Sequence, residues 1–82
     1  MENKLTIEIY GQKYTIKGRE KLEHLKEVAN YVDEKIKQIS LNNPRLDTSR
    51  LAVLSALNIA DEYIKLKREY EEMLTLIETE KL

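Results

Sequence analysis

The feature that most constrains this chain is the stretch from Thr48 to Leu82, which contains neither proline nor glycine. If it is helical as far as Glu80, the helix is roughly 50 Å long at 1.5 Å per residue. A compact chain of 82 residues has a radius of gyration of only about 12 Å. Such a helix does not fit inside its own globule, and the sequence therefore predicts that it projects.

The apolar pattern of this helix changes near Asp61. The ten residues Leu51–Ala60 carry no charge, and after them charges crowd in while the apolar residues narrow to one stripe with heptad spacing. This heptad stripe comprises Ala52, Ala56, Ile59, Tyr63, Leu66, Tyr70, Met73 and Ile77. Beside it, a second apolar set widens the first half only. We therefore expect a first half that buries nearly its whole circumference in a globular head at residues 1–60, and a coiled-coil stalk at residues 61–82.

The heptad stripe predicts that the protein forms homo-oligomers, because an isolated helix gains most of its stability by packing its apolar face. The predicted oligomerisation residues are Ile59, Tyr63, Leu66, Tyr70, Met73 and Ile77. Two of them are bulky tyrosines and the stripe is short, which favours a dimer of heads that assembles further through its stalks. The alternative is a tail that folds back onto its own head.

The N-terminal part predicts a β-hairpin at residues 3–17, because apolar and polar residues alternate with period two on both sides of Gly11. Residues 19–39 follow, with apolar residues spaced three and four apart, as in an amphipathic helix. The apolar face of the hairpin needs a cover, and this short helix is its natural partner. The predicted fold class is thus α+β, a hairpin packed on a short helix and followed by a long projecting helix.

The connector between the two helices is predicted at residues 40–47. Pro44 disfavours helix in the residue before it. Asp47 is a candidate N-cap for the long helix. Leu46 and Leu51 flank this cap and can form a hydrophobic staple.

Composition and spacing exclude most catalytic chemistry. There is no cysteine and no glycine-rich phosphate loop, and the single histidine, His24, lies off the apolar face of the first helix, where we expect a solvated side chain. Neighbouring carboxylates on a helix point apart and are expected to be solvated. Three such pairs occur, Asp33/Glu34, Asp61/Glu62 and Glu71/Glu72. We therefore predict no enzyme activity, no catalytic residues, no cofactor and no metal.

Charge and hydropathy exclude two further classes. Residues 1–60 carry ten basic against eight acidic residues and residues 61–82 carry four against seven, so net charges of +2 and −3 sum to −1. A nucleic-acid binder usually shows a clear basic excess. The longest uncharged run, ten residues, is half of the roughly 20 that span a membrane. With no signal-peptide pattern at the N-terminus, we expect a soluble cytoplasmic protein without membrane insertion.

Three segments together resemble the ZapA family of bacterial cell-division proteins. They are "IEIYGQKYTIKG", "VANYVDEKIKQI" and "DTSRLAVLSALNIADEY", and the resemblance covers nearly the whole chain. It implies a head with a projecting coiled coil, dimers that pair into tetramers, and binding to FtsZ, the tubulin-like division protein, at mid-cell. It further implies that FtsZ filaments are cross-linked or aligned. The chain looks like the shorter, Gram-positive type of the family.

The resemblance also implies where FtsZ binds. In longer relatives, basic residues on the head near the connector are implicated, and this chain has Gln12, Ser40 and Pro44 at those positions. Other basic residues lie close by in the sequence, so the transfer is regional. This basic cluster comprises Lys13, Lys37, Arg45 and Arg50.

Other interpretations of the sequence remain open. A coiled-coil adaptor or holdase unrelated to FtsZ is one, although prefoldin-type subunits place the hairpin between their helices. A small DNA-binding dimer is another, opposed by the mild acidity. Asn58, within the uncharged run, is either a structural residue bonded to nearby backbone or a residue that fixes register between subunits.

Overall fold

The structure is a computed structural model that describes residues 3–80, the last of them by its backbone alone. Its elements are β1 (Asn3–Ile9), β2 (Gln12–Gly18), α1 (Leu22–Asn42) and α2 (Thr48–Glu80). The α+β class and the order of hairpin, short helix and long helix are confirmed. Residues 1–2 of the predicted head and 81–82 of the predicted stalk lie outside the described residues.

The first helix begins and ends three residues later than the predicted range 19–39. At its start, the Asn3 side-chain amide donates to the Glu20 carbonyl over 2.8 Å and holds this part of the chain beside the sheet. At its end, the helix continues as far as Asn42, and Asn43 then donates from its side chain to the Ile39 carbonyl over 2.9 Å. The helix therefore ends just before Asn43, the residue that precedes Pro44 and is disfavoured in a helix.

Two residues with left-handed backbone form the turn of the hairpin. The strands are antiparallel, Ile9 pairs with Gln12, and the residues between them have φ of +48° at Tyr10 and +81° at Gly11. Positive φ at both turn residues suits the twist of a two-residue hairpin. Glycine adopts this conformation readily, whereas a tyrosine rarely does. Tyr10 therefore belongs to the turn, although the sequence pattern placed it in the strand.

Two hydrogen bonds fasten the turn to α1. The Tyr10 backbone N–H donates to Asp33 Oδ1 over 2.8 Å, and the Tyr10 hydroxyl bonds with Ser40 Oγ over 2.9 Å. The ring also packs against the core. These contacts hold Tyr10 in its uncommon backbone conformation and place the turn beside the C-terminal half of α1.

The core lies where the hairpin turn, α1 and the start of α2 meet. Ile36, Ile39 and Leu51 are buried there. Half-buried residues pack around them, namely Ile9, Tyr10, Val32, Leu46 and Leu54. Leu46 and Leu51 thus belong to one cluster, as expected for a hydrophobic staple on either side of the N-cap.

The predicted N-cap of α2 is confirmed. Asp47 Oδ1 accepts a hydrogen bond from the backbone N–H of Arg50 over 2.8 Å. This satisfies one of the amide groups that the first turn of a helix leaves without a partner. The second helix therefore starts at Thr48, as expected.

Only one side of α2 is covered by the rest of the chain. Leu51 and Ser55 are buried, and Leu54, Ile59 and Glu62 are half-buried. All its other described side chains are exposed. The expectation that its first half buries nearly its whole circumference is not met within one chain, because α1 alone packs against it. The radius of gyration of 17.1 Å and longest extent of 54 Å confirm that the helix projects.

Candidate functional site

The four residues of the basic cluster are exposed, and they lie on elements that meet at the core beside the fastened hairpin turn. Lys13 follows the turn on β2, and Lys37 lies one helical turn after Asp33, which binds the turn. Arg45 is in the connector and Arg50 is in the first turn of α2. Sequence proximity did not establish that the hairpin reaches this end of the molecule; the contacts of Tyr10 do.

Acidic groups lie close to two members of this cluster. Lys37 Nζ is 2.9 Å from Asp33 Oδ2, and Lys13 faces Glu8 across the hairpin. The Tyr10 N–H, and then Lys37, lower the pKa of Asp33, while Asp33 raises the pKa of Lys37. Lys37 is therefore already engaged. Among residues 3–80, no salt bridge involves Arg45 or Arg50.

The predicted oligomerisation residues form an exposed apolar stripe on α2. Between 50 and 65 % of the surface of each of five side chains is accessible. These five are Tyr63, Leu66, Tyr70, Met73 and Ile77. Ile59 differs, because it is half-buried and lies beside Val32 of α1 in a groove between the helices.

A second exposed apolar surface lies on the first half of α2. We call Val53, Leu57 and Ile64 the head patch; their side chains are 45–63 % exposed. Next to it on the helix, an apolar groove runs between α1 and α2, with Ala52, Ala56 and Ala60 along its α2 wall. Exposed apolar surface of this extent is typical of an interaction site. The sequence indicated Val53, Leu57, Ala60 and Ile64 as a second apolar set beside the heptad stripe, but not that α1 would leave them uncovered.

Ser55 is a polar residue that the sequence analysis did not identify. It is 1 % exposed, and its hydroxyl has no hydrogen-bond partner among the described residues. It follows Leu51 by one turn on the side of α2 that packs against α1. Nothing in the sequence distinguishes this serine from a solvated one, because its burial depends on where α1 crosses.

Glu62 was expected to be solvated together with Asp61, and that prediction is wrong. The Glu62 carboxylate accepts a hydrogen bond from the Tyr31 hydroxyl and forms a salt bridge with Lys35 Nζ, both on α1. These two donors, Lys35 first, lower the pKa of Glu62. Asp61 does point to solvent, where it pairs with Lys65 over 2.9 Å.

Two other polar residues, one on each helix, are exposed. His24 is exposed on α1, as predicted, and Asn58 is exposed on α2. Within residues 3–80, no group of three or more histidine, aspartate or glutamate side chains could hold a metal ion. In the same range, no helix has the length and apolar character needed to cross a membrane.

Comparisons with known proteins agree on one family. The family model described as "Cell division protein ZapA" matches residues 5–82. A cell division protein ZapA of Geobacillus sp. (strain WCH70) is 50 % identical over 80 residues, covering 98 % of this chain and 92 % of that protein. The protein of the same name in Bacillus anthracis is 47 % identical over 72 residues, covering 88 % of this chain and 81 % of that protein.

A solved structure shares the fold. It is a ZapA mutant dimer from Geobacillus stearothermophilus, 42 % identical to this chain, with a TM-score of 0.75. The match covers 95 % of this chain and 91 % of that one.

Proposed function

This chain belongs to the ZapA family of cell-division proteins, and on that premise we propose that it binds FtsZ and cross-links or aligns its filaments. In this proposal the protein has no enzymatic activity, is cytoplasmic and acts at the mid-cell division site. It acts as a homo-oligomer that presents two or more heads. Each head binds one filament weakly, and the linkage between heads supplies avidity.

The observation that carries this proposal is the exposed apolar stripe beyond Glu62. In the rest of α2, no described side chain is buried or half-buried, so within one chain nothing stabilises its apolar face. A helix of this kind is marginal in water unless the face is packed. A second copy offers the same heptad spacing and is the simplest partner for it.

We assign two stages of assembly to the two apolar surfaces. The head patch and the adjoining groove pair two heads into a dimer. The stripe from Tyr63 to Ile77 joins the stalks and takes dimers to a tetramer. The division into a head, residues 1–60, and a stalk, residues 61–82, is part of the same proposal.

Leu66→Glu tests this mechanism, because it places a charge in the centre of the stripe. The matched control is Thr75→Glu, which adds the same charge to the same helix away from the stripe. Because the head patch is proposed to pair two heads on its own, we expect Leu66→Glu to lower the molar mass in solution to that of a dimer and to reduce co-sedimentation of FtsZ bundles, while Thr75→Glu leaves both unchanged. Adding Leu57→Glu, in the head patch, should give a monomer that does not bundle filaments. A monomeric double variant that still bundles filaments contradicts the bivalent mechanism.

For the filament contact we propose the basic cluster, with Arg45 and Arg50 contributing most. Their charges are exposed and carry no ion pair within residues 3–80, so they can steer an acidic polymer in a salt-dependent way. We expect Arg45→Ala and Arg50→Ala to reduce the protein that pellets with FtsZ without changing its own molar mass. Lys26→Ala, on an exposed part of α1 away from the turn, is the control. Equal pelleting of all three variants refutes this assignment.

A further inference from the structure

We propose that Tyr31, Lys35 and Glu62 form an orienting clamp that sets the direction in which α2 leaves α1. Tyr31 and Lys35 lie one turn apart on α1, and the Lys35 ammonium is 5.5 Å from the centre of the Tyr31 ring. Both donate to the carboxylate of Glu62. Such a clamp sets the shape of the chain whether or not FtsZ is bound.

The position of Glu62 is the first argument. It is the last half-buried residue among the described side chains of α2, and those that follow it are exposed. Tyr31 and Lys35 are in the middle of α1, while the buried contacts of the core lie nearer its C-terminal end, at Ile36 and Ile39. The clamp thus lies farther from the connector than the buried core does, where it has more control over the angle between the helices.

The character of the contacts is the second argument. Within residues 3–80, the hydrogen bonds of Glu62 are the only side-chain bonds that join α1 to α2. The apolar contacts nearer the connector are not directional, and Ala52 and Ala56 leave a groove beside them. Hydrogen bonds to a carboxylate depend on geometry, so two donors on α1 that bind one carboxylate on α2 restrict the angle between the helices in a way that apolar packing does not.

Comparison with Asp61 shows that this is not an ordinary surface pair. In the clamp, the side chains of Lys35 and Glu62 are 15 % and 40 % exposed. The pair between Lys65 and Asp61 lies within one helix and its side chains are 69 % and 59 % exposed. A pair in the same helix cannot set the angle between two helices, so Asp61 serves as a matched control.

The length of the free helix amplifies any change of angle. Thr75 lies 13 residues beyond Glu62, or about 20 Å along the helix. A rotation of 20° at the clamp therefore moves Thr75 by about 7 Å. Because the chain has no cysteine, spin labels can be attached to introduced cysteines alone, at Glu23→Cys on α1 and Thr75→Cys on α2.

The experiment measures the distance between these labels by pulsed electron paramagnetic resonance, with labelled chains diluted in an excess of unlabelled chains. We expect a single narrow distribution in the parent. Glu62→Ala should broaden it or shift its mean by about 5 Å or more, and Tyr31→Phe should do so less. Asp61→Ala should leave it unchanged.

The result that would overturn the clamp is a Glu62→Ala distribution that matches those of the parent and Asp61→Ala. Circular dichroism confirms that each variant keeps its helix content. If Glu62→Ala loses helix, Tyr31→Phe decides, since it removes one hydroxyl and keeps the packing. The double variant Lys35→Glu with Glu62→Lys exchanges the two charges and keeps an ion pair between the helices. If it recovers the parent distance distribution, the pair sets the angle between the helices, because a variant that was only less stable would not regain that distance.

Discussion

Replacing Ser55 by alanine should make this protein more stable, although the residue is almost completely buried. The hydroxyl of Ser55 has no hydrogen-bond partner among the described residues and is 1 % exposed. A buried polar group without a partner costs roughly 1–3 kcal/mol relative to a bonded or absent one. Alanine removes the hydroxyl and keeps the side chain small enough for α1 to pack at the same distance.

The expected gain has two parts. Alanine is the better helix former by about 0.5 kcal/mol, and removal of the unpaired hydroxyl adds about 1 kcal/mol, the low end of that range. The free energy of unfolding should therefore rise by about 1.5 kcal/mol. For a domain of 60–100 residues, each kcal/mol raises Tm by about 4–8 °C, so a rise of roughly 6–12 °C is expected.

The assay is thermal and urea unfolding followed by circular dichroism, with parent and variants at one protein concentration, because association makes Tm depend on concentration. Asn58→Ala is the control. It lies in the same helix and is exposed, so it should gain only the helix-propensity part, about 0.5 kcal/mol. Ser55→Leu should instead destabilise by about 1–3 kcal/mol through overpacking.

Two results would refute this reasoning. The first is a loss of stability in Ser55→Ala, which would mean that the hydroxyl has a partner, in the helix or in another copy. The second is a gain no larger than that of Asn58→Ala, which would mean that burial of the hydroxyl has no energetic effect.

Three further predictions concern the contacts at the head. Asp47→Ala should lower the free energy of unfolding by about 1 kcal/mol, because it removes the N-cap of α2, and urea titration measures this. Tyr10→Phe should cost about 1 kcal/mol by the same assay, because it removes the bond to Ser40. The pKa of Asp33 is lowered in the folded state, so its contribution is complete above its ordinary range, about 4, and is lost as pH falls through the lower folded pKa. We therefore expect the free energy of unfolding of Asp33→Asn to fall less steeply than that of the parent as the pH is lowered, which urea titration at several acidic pH values measures.

Each of these predictions has a contrary outcome. Asp47→Asn keeps a capping oxygen, so a loss equal to that of Asp47→Ala would show that charge, not the cap, is responsible. Tyr10→Phe with unchanged stability would show that water replaces the bond to Ser40. If the free energy of unfolding falls with pH equally steeply in Asp33→Asn and the parent, groups other than Asp33 cause the loss of stability in acid.

Local patterns account for what could be predicted from the sequence. The alternation in the hairpin, the cap at Asp47 and the spacing on both helices depend on residues a few positions apart. The start of α1 was predicted three residues too early because the conformation around Glu20 depends on a bond from a distant residue, the side chain of Asn3, to the Glu20 carbonyl.

Contacts between distant elements account for what could not be predicted. Tyr10 alternates like a strand residue, yet its backbone is set by Asp33 and Ser40 on α1. Ser55 is buried and Glu62 is bound because α1 crosses α2 at those turns, and periodicity gives a face of a helix but not the element that covers it. The basic cluster was proposed from resemblance, and its role remains a prediction.

The continuity of α2 restricts how such a chain can change length during evolution. One helix without proline or glycine joins the turns packed on α1 to the apolar stripe. Each inserted residue advances the helix by 1.5 Å and turns everything beyond it by about 100°. An insertion of one or two residues would therefore aim the stripe in a different direction from the head, whereas seven residues add about 10 Å and leave the direction within about 20°. By the same geometry, 11 residues leave it within about 20° and about 18 residues restore it, so stalks of this design should change in length by such numbers and not by one or two residues.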